Sequence, residues 1–161
     1  MKKLLKNRFY ILLITAFFIL PIWLVSSYKL VINHTKSLPF HFVIIKKNQI
    51  PSEVGQIFVF RVLNNPTYNN LEVKFIKILE GKEGDSIAVD EERNLLINDR
   101  IIGAVKTVSL KGKPLEALDS GIIPPHKFFA YAPHIDSYDS RYKEIGLIDE
   151  KNIIGTAIFT Y

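Results

Sequence analysis

Three segments far apart in the chain carry residue types that make chemistry once they are brought together. They are Thr35-Lys36-Ser37-Leu38-Pro39, Lys77 with the following Gly81-Lys82-Glu83-Gly84-Asp85, and Ser137-Tyr138-Asp139-Ser140-Arg141. A serine hydroxyl attacks a carbonyl only when an adjacent base takes its proton. A lysine becomes such a base when burial strips its charge, because desolvation disfavours the ammonium and lowers its pKa by up to about 3–5 units. Lys77 lies in the run Leu71–Leu79, where period-two geometry sets Val73, Phe75, Lys77 and Leu79 on one face and Glu72, Lys74 and Ile76 on the other. Bringing a lysine from about 10.4 to near 7–8 costs on the order of 4 kcal/mol. A fold keeps such a residue when it is used, or when the amine snorkels to water along its apolar stem. The strand pattern alone leaves both readings open.

The elements that must position these groups are mostly strands. Beyond residue 30 there is no sustained helical period. Short β-branched and aromatic runs recur between turn residues: Phe42–Ile45, Ile57–Val62, Leu71–Leu79, Ile87–Val89, Leu95–Ile97, Ile101–Val105, Lys127–Tyr131 and Ile153–Tyr161. This reads as a mainly β fold built on one antiparallel sheet. Asn98-Asp99 is expected to turn a hairpin, and the glycines of Gly81–Gly84 to take positive φ. Asn64–Asn70 is a polar loop leading into the lysine strand.

Ahead of this body, Phe9 to Val25 run without a charge, and the uncharged stretch continues to Tyr28. About twenty helical residues span the roughly 30 Å of a bilayer's hydrocarbon core. The expected organisation is a cytoplasmic N-terminus over 1–8, a single transmembrane helix over 9–28 and an extracytoplasmic domain over 29–161. Lys2, Lys3, Lys6 and Arg8 precede the span, which puts the N-terminus inside and the body on the periplasmic or extracytoplasmic side. A cleavable leader is the alternative, since Val25-Ser26-Ser27 loosely suits a cleavage site. The apolar run exceeds the usual length of a leader's apolar core, which favours a retained anchor.

The net charge of +5 is concentrated at the front. Eight of the 21 basic residues precede Glu53, the first acidic one, leaving 13 against 16 acidic residues in 53–161. A mildly acidic body lacks the basic patch of a nucleic-acid-binding domain. With no cysteine, disulfides and thiolate metal sites are excluded. His34, His41, His126 and His134 show no metal-ligand spacing, so no metal or cofactor is expected. His134 and Asp136 together suggest a Ser-His-Asp arrangement, but the lysine reading explains more residues.

In order and behind an apolar N-terminus, the three segments resemble the signal peptidase I family of Ser/Lys membrane proteases. The Ser37-Leu38-Pro39 form is most similar to the TraF-type conjugative-transfer signal peptidases. The resemblance implies that Ser37 is the nucleophile and Lys77 the general base. It implies that Thr35 supports the oxyanion hole, that Ser137 orients the lysine amine, and that Asp139 and Arg141 form a supporting charge pair, with Asp139 implicated in catalysis. It implies a leader-bearing exported protein, such as a conjugation or secretion-system pilin precursor, as substrate, and the lipid bilayer as partner. Pro133-His134-Ile135-Asp136 departs from the family's usual Gly-Asp-Asn, and no arginine follows Lys77. A general type I signal peptidase and a catalytically silent anchored scaffold are the competing expectations.

Overall fold

The computed structural model describes the backbone of residues 2–161 except Asn64, Pro66, Tyr68 and Asn70, and, within residues 2–16, the side chains of Tyr10, Ile14 and Thr15. A 26-residue helix, α1 (Lys2–Ser27), opens the chain and includes Pro21. The basic residues Lys2, Lys3, Lys6 and Arg8 have side chains outside the described residues, as has part of the loop Asn64–Asn70. Along the described part of α1 the large apolar side chains face outward, with Phe17 74%, Ile22 69% and Val25 73% exposed. The transmembrane helix expected over 9–28 is not sustained as such. Among the described residues no helix is long and apolar enough to cross a membrane. Tyr28, expected inside the anchor, instead starts a strand and pairs with Lys46.

Eleven described strands follow: β1 (Tyr28–Ile32), β2 (Phe42–Lys47), β3 (Ile57–Val62), β4 (Val73–Gly81), β5 (Ser86–Val89), β6 (Asn94–Ile97), β7 (Arg100–Ala104), β8 (Gly121–Ile122), β9 (Lys127–Tyr131), β10 (Ile148–Asp149) and β11 (Ile153–Thr160). They form two sheets, not the single one expected. The large sheet runs β1-β2-β11-β3-β4-β9-β10 and the small one β7-β6-β5-β8, with every named pair antiparallel. β11, late in the chain, lies between β2 and β3.

Both faces of the large sheet are covered near its centre. Phe58, Phe60, Leu79 and Ile148 pack in one cluster, and Val43, Ile45, Val59 and Ile76 in another with Leu38. Alternation along β3 and β4 sends successive side chains to the two clusters. A third cluster joins the sheets, with Leu95, Ile97 and Ile123 against Phe129, Tyr131 and Tyr142. Asn98 and Asp99 both take positive φ (49° and 62°) at the β6–β7 hairpin, as expected of a primed turn. Gly84 takes φ 87°, but Gly81 does not turn. Gly81 is needed for packing instead, since a Cβ there would lie 2.8 Å from Ile123 Cδ1.

Candidate active site

The site is assembled by two parts of the large sheet, separated by β11 and β3, and a loop. Ser37 sits in the loop between β1 and β2, Lys77 on β4, and Ser137, Asp139 and Arg141 in the loop after β9. A cleft of about 800 Å³ is lined by Ser37 and Thr35 on one side, Phe75 and Lys77 on another, and His134, Asp136 and Tyr138 on a third. Pairing of β4 with β9 runs from Ile78 to Gly81, and the cleft opens beside the preceding residues of β4.

Lys77 does not snorkel. It is 3% exposed, stands opposite Phe58 in the β3–β4 register, and has its Nζ 5.8 Å from the Phe75 ring centroid. Its Nζ donates to Ser137 Oγ at 2.7 Å. Burial lowers the Lys77 pKa from 10.5 to about 8, against the opposing pull of Asp139 and with a smaller push downward from Arg141. Desolvation wins because both charges of the Asp139–Arg141 pair act on the amine with opposite sign. An amine near pH 8 can hold or release a proton under ordinary conditions.

This placement costs stability, and the sign can be worked out. The folded pKa of Lys77 lies below the unfolded one, so the folded state binds fewer protons between about pH 8 and 10.5 and stability rises with pH across that window. Lys77→Met is expected to stabilise the fold by about 2 kcal/mol at pH 7, after allowing for the lost hydrogen bond to Ser137. The gain should fade as pH approaches 10.5, the value in the unfolded chain. Denaturant titrations of both proteins at pH 7 and pH 10 test this; a variant less stable than wild type at pH 7 would contradict it.

Ser137 is held from three directions. Its N–H donates to His134 O at 2.9 Å, its carbonyl accepts from Arg141 Nη2 at 3.1 Å, and its hydroxyl receives Lys77. Arg141 and Asp139 form a two-pronged pair, Nε to Oδ1 at 2.9 Å and Nη2 to Oδ2 at 3.0 Å, with exposures of 1% and 0%. The remaining Arg141 donors reach Ala104 O and His134 O. Asp139 Oδ2 also accepts from Ala132 N. The carboxylate is therefore occupied by Arg141 and the backbone, and touches Lys77 only through its field. Among the described residues no buried side-chain nitrogen or oxygen lacks a partner, as buried polar groups require.

Thr35 lies two residues before Ser37 and its Oγ1 receives the Ser37 N–H at 3.5 Å. The Ser-His-Asp alternative is not assembled. The Asp136 carboxylate is ion-paired with Lys106, and His134 Nδ1 accepts the Asp136 N–H at 3.1 Å. Three further contributors were given no role from the motifs. Ser140 is fully buried, and its hydroxyl donates to Gly146 O and accepts from Ala130 N, tying the loop to β9. Lys106 fixes Asp136 beside Ser137 from the small-sheet side. Asn33 binds the Ser37 loop from within. Ser140 stood inside the Ser137–Arg141 segment, and Asn33 left a signal as a turn-forming side chain at the end of an apolar run.

The family model for signal peptidase, peptidase S26, matches residues 1–161. Comparison with curated proteins gives no match.

Proposed function

We propose, for a chain that belongs to the peptidase S26 family of signal peptidases, a membrane-anchored serine endopeptidase in which Ser37 is the nucleophile and Lys77 the general base. Membership makes the protein a peptidase whose substrate bears a leader peptide. The observation that carries the dyad is Lys77 itself: buried, drawn toward neutrality and bonded to Ser137 beside the cleft that Ser37 lines.

Neutral Lys77 Nζ takes the Ser37 proton as Oγ bonds to the scissile carbonyl carbon and the carbonyl π electrons move to oxygen. The Ser37 N–H leaves its long 3.5 Å bond to Thr35 Oγ1 and turns to the developing oxyanion, while the Thr35 hydroxyl stays on Asn33 Oδ1. Lys77 then gives its proton to the leaving amine as the C–N bond breaks, leaving an ester on Ser37. Water, deprotonated by the same amine, cleaves that ester. Ser137 keeps Nζ aimed through each transfer, and the Asp139–Arg141 pair keeps Ser137 in place.

Anchoring through α1 is supported by its outward apolar side chains and by the four basic residues that precede the apolar run. β1 carries the chain from the helix end at Ser27 to the Ser37 loop, a rise of roughly 16 Å over its five residues. The Ser37-Leu38-Pro39 form supports a TraF-type enzyme acting on a conjugation or secretion-system pilin precursor outside the cytoplasm. Full-length protein in detergent should cleave a leader-bearing pilin precursor at one position, read by mass spectrometry, and Ser37→Ala should not. A product one water lighter than the hydrolysed mature chain would mark resolution by the substrate's own amine. Cleavage that persists in Ser37→Ala would remove Ser37 as nucleophile.

A further inference from the structure

We infer that Asn33 is the positioning residue of the nucleophile loop, its carboxamide fixing the backbone that carries Ser37 and its N–H; the inference rests on the Ser37–Lys77 reading. Asn33 follows the last residue of β1, and its N–H donates to His41 O at 2.8 Å, closing the base of the loop. Beyond that base, His41 and Phe42 both donate to Tyr161 O. The side chain then divides the loop between its two ends. Nδ2 donates to Phe40 O at 2.9 Å and Leu38 O at 3.3 Å, while Oδ1 accepts from Thr35 N at 3.1 Å and Thr35 Oγ1 at 3.0 Å.

The chemistry of these partners leaves one proton arrangement. A backbone N–H only donates, so the Thr35 amide identifies Oδ1, and the two carbonyls identify Nδ2. Oδ1 only accepts, so the Thr35 hydroxyl gives its proton to Asn33 and turns a lone pair to the Ser37 N–H. Ser37 N–H, Thr35 O–H and Asn33 Oδ1 thus form a chain of hydrogen bonds that fixes the backbone at Ser37, with the Thr35 proton committed to Asn33. On the other flank Leu38 is 4% exposed and packs into the core with Val43 and Ile76. Ser37 is pinned between a buried leucine and a carboxamide. Aspartate could receive Thr35 but offers no donor to Leu38 O and Phe40 O, and alanine serves neither flank.

The test uses full-length protein in detergent and compares wild type, Asn33→Ala, Asn33→Asp, Thr35→Val and the Asn33→Ala/Thr35→Val pair on a leader-bearing peptide. Asn33→Ala should lower kcat by about 10²-fold, since a displacement of about 1 Å at a reacting group costs that much, with KM changed less than about threefold. Asn33→Asp should fall between it and wild type. Because the Thr35 flank is held through Asn33, the double variant should be little worse than Asn33→Ala alone, departing from the additivity of independent sites. Amide hydrogen exchange at Thr35 should accelerate in Asn33→Ala, a readout independent of catalysis. Wild-type kcat in both Asn33 variants, additive losses in the cycle, or unchanged exchange at Thr35 would each overturn the inference. If wild type cleaved no leader, the protease reading would fail while the exchange measurement still decided the role of Asn33 in the loop.

Discussion

Lys77→Met should reduce leader-peptide cleavage by about 10⁴-fold or more, the scale of losing one member of a proton-relaying nucleophile pair. Lys77→Arg should be as poor, because arginine stays protonated at any working pH and cannot receive the Ser37 proton. In wild type, kcat/KM reports the free enzyme's ionisation. It should rise about tenfold per pH unit below the Lys77 pKa and level off above it, with the bend near pH 8. The position of the bend is the sharper half of the result. A lysine in water would put it more than two units higher, and a histidine base would put it near 6.5. Cleavage that survived Lys77→Met with a bend near 6.5 would move the base to His134, which lines the same cleft. The same variant is expected to be the more stable protein at pH 7, so a loss of activity cannot be laid to unfolding. Gaining stability while losing function is how a strained functional group behaves.

What could be read from the residues depended on range. Ile57–Val62 and Lys127–Tyr131 form strands with the expected bounds, because β-branched and aromatic runs between turn residues are local signals. Asn98-Asp99 turned as expected because both residues tolerate positive φ. β1 was hidden: Tyr28–Ile32 follows the apolar run of α1 directly, and the uncharged stretch ends only at Lys29, one residue inside the strand. β8 and β10, two residues each, are too short to carry a period. The division into two sheets was hidden too, since it is decided by which distant strands meet, as when β11 enters between β2 and β3. At the site, alternation placed Lys77 on an apolar face, but only the register with Phe58 determines that its amine stays inside. Ser140 acts through a backbone carbonyl and an N–H group, which no residue pattern displays, and Asn33 showed only as a turn-forming residue after an apolar run.

Asp139→Asn and Arg141→Met should cost similar stability and shift the pH profile in opposite directions. Removing one partner of a buried ion pair leaves the other charge uncompensated, a loss of about 3–5 kcal/mol, and both side chains here are essentially inaccessible to water. Their fields at Lys77 differ in sign. Asp139 raises the lysine's pKa and Arg141 lowers it, so the bend in kcat/KM should move to lower pH in Asp139→Asn and to higher pH in Arg141→Met. Arg141→Met should also reduce kcat, because the guanidinium holds the carbonyls of His134 and Ser137 that set the Ser137 hydroxyl against Lys77. The paired replacement Asp139→Leu/Arg141→Met removes both charges and should recover much of the stability, as apolar substitution of buried ion pairs does. It should not recover kcat, since the hydrogen bonds to the 134–137 loop are still missing. Stability and activity returning together in the double variant would make the pair a packing element alone. Stability returning without activity would make it the brace through which the loop after β9 keeps the Lys77 amine on its target.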